Sequence, residues 1–260
     1  MSGVQSVERA LSLLHEIAAE PCTSSELARR TGLATSTAAR LLATLSEDGS
    51  VVRDGAGVYR IGPAIVALAA SADPTHGLVE VATRTLLDLA TDTGESASVG
   101  IPLGIEMQYV AQMNTAHPVQ VRDWVGTRAP MHGVAPGLVI LASWNNDRID
   151  EYLGRKLLPM TRKNVTDPAV IRQRIDQIRA QGFLWTHEEG ADGISVVAAP
   201  VRNSTGTVIA SLQAWGPTYR FPQKGAERAV TRQVVEAASR VSAMLGYRKR
   251  LESDTGRRTA

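Results

Sequence analysis

The sequence predicts an α+β protein built from two domains. Three observations carry that reading. Apolar residues recur at helical spacing in three successive runs up to residue 47, two of them joined at Thr31-Gly32-Leu33. Two short β-like runs, Val51–Arg53 and Val58–Ile61, then flank Asp54-Gly55-Ala56-Gly57, a hairpin turn composition. Beyond residue 77 the order is helix, strands, helices, strands, helix, which favours an antiparallel sheet.

The first helix is expected over 6–19, with Val7, Leu11, Leu14 and Ala18 in phase and Ala10 and Ile17 beside them. Thr23 reads as the N-cap of the second, with Glu26 three residues on as a capping box, and Gly32 as its left-handed end. Thr35 is read as capping the third. Ala38, Leu41, Leu42 and Leu45 share one face of it, and Ser36, Arg40, Ala43 and Glu47 the other. A face opening with hydroxyls and small side chains lets a helix backbone approach a partner closely. Hydroxyls and N-terminal amides suit phosphate oxygens, and Arg40 can reach a phosphate or a guanine edge. The hairpin then reads as a wing carrying Arg53 and Arg60. The candidate DNA contacts are Thr35, Ser36, Thr37, Ala39, Arg40, Arg53 and Arg60. The charge count opposes this: residues 1–62 hold six arginines against seven carboxylates, so no broad basic footprint exists.

Gly62-Pro63 closes the wing. Residues 64–72 are nearly all apolar, a short helix that needs burial, most readily against a second subunit. Asp73-Pro74 and Gly77 mark a boundary. The resulting divisions are 1–62 winged helix-turn-helix, 63–77 linker helix, 78–251 second domain and 252–260 a disordered tail. Helices are expected at 78–93, 136–143, 148–153, 169–181 and 223–247. Strands are expected at 97–101, 105–113, 119–121, 183–185, 194–201 and 208–215. The last helix should bury Ala226, Val230, Val234, Ala237, Val241 and Met244.

Composition narrows the class. The 260 residues carry a formal charge of +2 and are 43% apolar, enough for real cores. No apolar run reaches the length of a membrane helix. Charged residues interrupt the N-terminal pattern, unlike a signal peptide. The one cysteine, Cys22, excludes an internal disulfide, so a cytoplasmic protein is expected. An enzyme is the rival reading, with Ser195, His132 and His187-Glu188-Glu189 as its candidates. Gly193-Ile194-Ser195 lacks the second glycine of a nucleophile elbow, and no two histidines share metal-binding spacing. No catalytic residue, metal or cofactor is expected. A metabolite-binding interaction module is the other alternative.

The run Thr31-Gly-Leu-x-x-Ser-Thr-x-x-Arg-Leu-Leu-x-Thr-Leu, followed by Tyr59-Arg-Ile-Gly-Pro, resembles the N-terminal domain of IclR-type bacterial transcription regulators. Residues 125–142 and 181–217 resemble that family's second domain, so the likeness spans nearly the whole chain. It implies a winged helix-turn-helix, a linker helix and a C-terminal GAF-like effector-binding domain. It further implies a homodimer or tetramer on a pseudo-palindromic DNA operator, repressing more readily than activating, under control of a small organic acid. Ala34-Thr35 departs from the family's frequent Pro-Lys, which leaves more to Arg40 and the wing.

The resemblance also implies a ligand pocket walled by Pro118, Val121, Ala135, Pro136, Gly137, Leu138, Thr186, Ile194, Val196, Gln213 and Trp215. The residue pattern adds that a helix start at 135–138 offers free amides to a carboxylate, with Gly137 and Leu138 the expected donors. The period of two puts Gln213 with Trp215 on one strand face and Ile194 with Val196 on another. Gln213, Trp215 and Leu138 depart from the smaller or cationic residues common in the family. Trp215 therefore either faces a larger, aromatic acid or is core.

Overall fold

The computed structural model describes residues 4–71, 74–114, 117 and 123–248. Contacts divide the chain into two compact units, separated in sequence between Gly77 and Leu78. The tail at 252–260 and the strand expected at 119–121 lie outside the described residues.

In the first unit, helices α1 (Gln5–Ala19), α2 (Ser24–Thr31) and α3 (Thr35–Glu47) pack on a small antiparallel sheet. Its strands are β1 (Cys22–Thr23), β2 (Val51–Arg53) and β3 (Val58–Ile61), in the order β1-β3-β2. Leu13, Ile17, Leu27, Ala38, Leu42, Val51 and Tyr59 form the core. The buried stripe of α1 is thus Leu13 and Ile17, while Val7 and Leu11 are exposed, a shift in phase from the sequence expectation. Gly32 adopts φ +67°, and the Leu33 N–H returns to the Ala28 carbonyl, which closes α2 as expected.

Two expected caps do not form. Thr23 makes no side-chain cap bond because its backbone is taken into β1, opposite Val58. The Glu26 carboxylate turns to Arg29 and Arg30 instead. Thr35 is the first helical residue of α3 rather than its cap, and Ala34 at the cap has no side-chain acceptor. After the hairpin the chain passes hard against Gly49: a Cβ on Gly62 would lie 2.1 Å from the Gly49 carbonyl oxygen. Helix α4 (Pro63–Ser71) follows, with Val66 61% and Leu68 66% exposed.

The second unit is a six-stranded antiparallel sheet between two helical layers. The strands are β4 (Ser96–Leu103), β5 (Glu106–Met113), β6 (Arg128–Pro130), β7 (Leu184–His187), β8 (Ile194–Arg202) and β9 (Val208–Pro217). They run in the order β6-β5-β4-β9-β8-β7. One face is covered by α5 (Pro74–Thr93) and α9 (Glu227–Met244), with Leu86, Leu89, Val99, Val197, Leu212, Val234 and Val241 at its centre. The other face meets α6 (Ala135–Leu141), α7 (Asn146–Leu153) and α8 (Pro168–Gln181).

The strand β6 was not foreseen. It has three residues, ends in Pro130, and pairs only with β5, as a proline-bearing edge strand must. Helix α5 begins at Pro74, not 78, because proline opens a helix as readily as it ends one. Helix α9 is shorter than its apolar pattern, and Met244 at its end is exposed. Its inner face is completed by Ala238 and Ser242, whose hydroxyl accepts the Arg202 N–H.

Helix α6 is buried along its whole length. It lies so close to the Met131–Gly133 turn that a Cβ on Gly137 would sit 2.4 Å from the Met131 carbonyl oxygen. Gly137→Ala must therefore displace backbone. Such overpacking is expected to remove about 1–3 kcal/mol and to lower Tm by about 2–4 °C per kcal/mol. Gly77→Ala, in α5 with no heavy atom within 4 Å of its added methyl, should leave Tm unchanged or slightly raised. Thermal melts of the two variants check this.

Candidate functional site

Two surfaces hold the residues singled out above, one in each unit. On α3, Ala38 and Leu42 are buried, which fixes the opposite face outward. Thr35, Ser36, Ala39 and Arg40 are exposed there, and Thr37 is half-buried. With no side-chain cap, the first amides of α3 stay available. Arg40 makes no ion pair among the described residues, and Thr44 Oγ1 donates to its backbone carbonyl at 3.2 Å.

The other arginines of this unit are mostly engaged. Arg29 and Arg30 hold the Glu26 carboxyl down to about 2 by hydrogen bonding, and Arg30 also reaches Glu20 at 3.1 Å. The hairpin tip is built by Asp54, whose Oδ1 accepts the N–H groups of Ala56 and Val58. Arg60 lies 3.5 Å from Asp54, while the Arg53 guanidinium sits over the Tyr59 ring at 5.8 Å. Arg53 pairs across with Tyr59 and Arg60 with Val52, so the two wing arginines leave opposite faces of the hairpin. Three of the unit's six arginines thus have internal counter-charges.

In the second unit, a cavity of about 560 Å³, its open mouth included, lies between the sheet and the α6 layer. Strand alternation creates it. Ala210, Leu212 and Ala214 of β9 point to the α5/α9 core, so Ser211, Gln213 and Trp215 point the other way. Opposite Gln213 stand Ser98 and Ala198, small residues that leave room above the sheet. A bulge where Val99 pairs Ala111 but Gly100 pairs Tyr109 turns the Tyr109 ring to this face.

Of the residues expected at a pocket, Ala135, Thr186, Ile194, Val196, Gln213 and Trp215 line this cavity. Pro136, Gly137 and Leu138 do not line it, and Pro118 and Val121 lie outside the described residues. The Leu138 N–H is not a free donor, since it closes the first turn of α6 on the Val134 carbonyl at 3.0 Å. Gly137 serves the close approach to Met131 described above. Trp215 is 4% exposed and is both core and wall: its Nε1 donates to Ser98 Oγ at 3.3 Å. Gln213 Nε2 donates to the same oxygen at 2.7 Å.

The sequence reading missed Tyr109, Trp124, Arg128 and Met160, which also line the cavity. The phase of β5 could not be read before its bulge was known. Arg128 did carry a signal, as a lone charge in the apolar run 125–142. It is exposed at the cavity and makes no ion pair among the described residues. Burial pushes the Tyr109 hydroxyl well above its ordinary range, so it stays neutral.

The enzyme candidates do not assemble a catalytic centre. His187 Nδ1 lies 3.0 Å from Ser195 Oγ, but Ser195 is fully buried and donates to Thr218. Glu188 pairs with Lys163 and Glu189 with Arg174, and Glu189 is buried rather than solvated. No cluster of three potential metal ligands exists among the described residues. His132 is buried next to the cavity wall. Its Nε2 is 3.1 Å from the Leu158 carbonyl, an acceptor only, so Nε2 carries the proton and Nδ1 accepts from the Tyr152 hydroxyl at 2.8 Å. No described helix is long and apolar enough to cross a membrane.

Comparison with known proteins agrees for both units. Residues 6–55 match the family model described as the IclR helix-turn-helix domain, and residues 71–243 the one described as bacterial transcriptional regulator IclR, C-terminal. The HTH-type transcriptional regulator BhcR of Paracoccus denitrificans is 31% identical over 95% of this chain and 89% of its own length. The crystal structure of an IclR transcriptional regulator from Silicibacter sp. TM1040 superposes with a TM-score of 0.78 at 25% identity, covering 94% of this chain and 96% of that one. An IclR homolog from Microbacterium hydrocarbonoxydans, complexed with 4-hydroxybenzoate, shares the fold with a TM-score of 0.61 at 23% identity. That match covers 92% of this chain and 98% of that one.

Burial lowers the His132 pKa below its ordinary 6.5. The unfolded chain therefore takes up this proton first as pH falls. The stabilising contribution is complete above about 6.5 and is lost as pH drops through the folded value. His132→Gln keeps a donor for Leu158 but has no titrating group. Between pH 7.5 and 5.5 the wild type should lose more Tm than this variant; equal losses would show that His132 is not the titrating group.

Proposed function

The chain belongs to the IclR family of bacterial transcriptional regulators, and from that premise we propose that it is a ligand-released repressor. A two-fold dimer places one α3 in each of two major grooves of a pseudo-palindromic operator. Thr35, Ser36 and the first amides of α3 take phosphate oxygens, Arg40 reaches a base edge or phosphate, and Arg53 and Arg60 flank the groove from the wing. The observation that carries this is Arg40: a guanidinium without a carboxylate partner among the described residues, on an outward face kept bare by Ala39, Ala43 and Ser36. Dimerisation is assigned to α4, whose Val66 and Leu68 are exposed within this chain. Repression needs no contact beyond occupancy, since a clamped promoter excludes polymerase.

The effector is a small organic acid in the cavity of the second unit. Arg128 is the lining cation for its carboxylate, and the aromatic walls suit a flat body. That the same fold holds 4-hydroxybenzoate in another protein supports this size and class. The enzyme reading is set aside because Ser195 has no exposed surface and its hydroxyl is spent on Thr218.

Fluorescence anisotropy of the full chain against DNA upstream of its own gene, with a scrambled duplex as control, tests the reading. The upstream fragment should bind several-fold tighter, with affinity falling as salt rises. Arg40→Ala should cost about 1–3 kcal/mol and most of the preference. Arg53→Ala with Arg60→Ala should weaken both duplexes. Equal binding of both duplexes by wild type and variants would leave an interaction module standing instead.

A further inference from the structure

The arginines offered to DNA by α3 and the wing are not equivalent. Arg40 and Arg53 have no carboxylate partner among the described residues, and the Arg53 guanidinium lies over the Tyr59 ring. Arg60 has one: its Nε lies 3.5 Å from Asp54 Oδ2, longer than a good hydrogen bond, and both side chains reach solvent. The two oxygens of Asp54 have separate tasks. Oδ1 accepts the N–H groups of Ala56 and Val58, each at 3.0 Å, and so shapes the tip. Oδ2 faces Arg60. The tip also closes through its own backbone, with the Asp54 N–H on the Val58 carbonyl and the Gly57 N–H on the Asp54 carbonyl, both at 2.9 Å. The Val58 and Ala56 amides, with the Arg60 charge, hold the Asp54 carboxyl below its ordinary range, so it is ionised at neutral pH.

A fixed carboxylate beside a guanidinium competes with phosphate for it. An exposed pair of this kind is weak, so a phosphate held in place displaces the carboxylate, while one that is poorly placed does not. Resting on the DNA-binding reading above, we propose that Asp54 is a specificity-determining residue of the wing, which withholds Arg60 from DNA at large and yields it to a backbone phosphate only where α3 is seated on its operator. On generic duplex the wing slides without a fixed phosphate partner, and Arg60 stays on Asp54. On the operator, base contacts from α3 fix the register of the backbone, and the wing phosphate takes Arg60 over. Arg53 leaves the other face of the hairpin and has no such competitor, so it contacts both kinds of DNA alike.

The test is fluorescence anisotropy of the full chain over a series of salt concentrations, with a duplex that wild type selects from a random pool and with a scrambled duplex. The proteins are wild type, Asp54→Asn, Arg60→Gln and the double variant. Asp54→Asn keeps an acceptor for the two tip amides and removes the charge that holds Arg60. It should tighten scrambled binding about three- to fivefold and steepen its log–log salt dependence by about 0.9, one further phosphate. Binding of the selected duplex should gain less, so the preference falls. Adding Arg60→Gln to Asp54→Asn should abolish both the gain and the extra slope. Arg60→Gln alone should weaken the selected duplex more than the scrambled one. A merely structural role for Asp54 would lower Tm and leave the salt slope where it was. Equal gains on the two duplexes, or a gain that survives the loss of Arg60, would overturn the proposal and leave the DNA-binding reading intact. A wild type that selects no duplex from the pool would remove that reading and the proposal with it.

Discussion

Strand β9 must bury one set of side chains completely while holding the other set above open space, and the second unit is arranged around that demand. Ala210, Leu212 and Ala214 are small or aliphatic and sit under α5 and α9. Ser211, Gln213 and Trp215 alternate with them and are also buried, yet Gln213 and Trp215 face a cavity. A sheet face in a protein interior is normally packed to the density of an organic crystal. Here Ser98 and Ala198, opposite Gln213, keep the neighbouring strands low, and α6 stands over the rest. The first turn of α6, which supplies Ala135 to the cavity wall, is seated by the close approach of Gly137 to Met131 in the turn before it. His132, bonded on both ring nitrogens to α7 and the 158 carbonyl, keeps that turn in place.

The first unit solves a different problem. It must approach a polyanion while carrying more carboxylates than arginines. Local pairing resolves it: Glu26 and Glu20 take Arg29 and Arg30, and Asp54 takes Arg60. The charge left over is concentrated on few side chains, Arg40 foremost. The Asp54 side chain closes the hairpin tip, so one acidic residue both builds the wing and faces its arginine.

How much the sequence discloses varies with the distance over which each feature is decided. The helices and hairpin of the first unit follow from local periodicity and turn chemistry, and the wing strands fall at 51–53 and 58–61 as expected. Its caps do not, because Thr23 is recruited into a sheet by Val58, a partner 35 positions away. In the second unit the strand alternation places Gln213 and Trp215 together from sequence alone. Tyr109 and Arg128 were not legible in that way. One depends on a bulge in β5, the other on a three-residue edge strand that pairs only once β5 is placed. The donor role given to Leu138 failed for a local reason that register reveals: α6 starts at Ala135, so Leu138 already closes its first turn.

The proposed function requires coupling between two ligands, and such coupling is reciprocal: whatever factor the acid imposes on DNA affinity, DNA must impose on affinity for the acid. The cavity provides a reporter, since Trp124 and Trp215 line it. The most direct measurement is the dissociation constant of an acid that binds the full chain, read from tryptophan fluorescence with and without saturating operator duplex. The account predicts weaker acid binding on the operator, by the same factor that the acid weakens DNA binding, and no change with a scrambled duplex. An acid affinity unaltered by operator would contradict it, leaving two binding functions joined in one chain without communication.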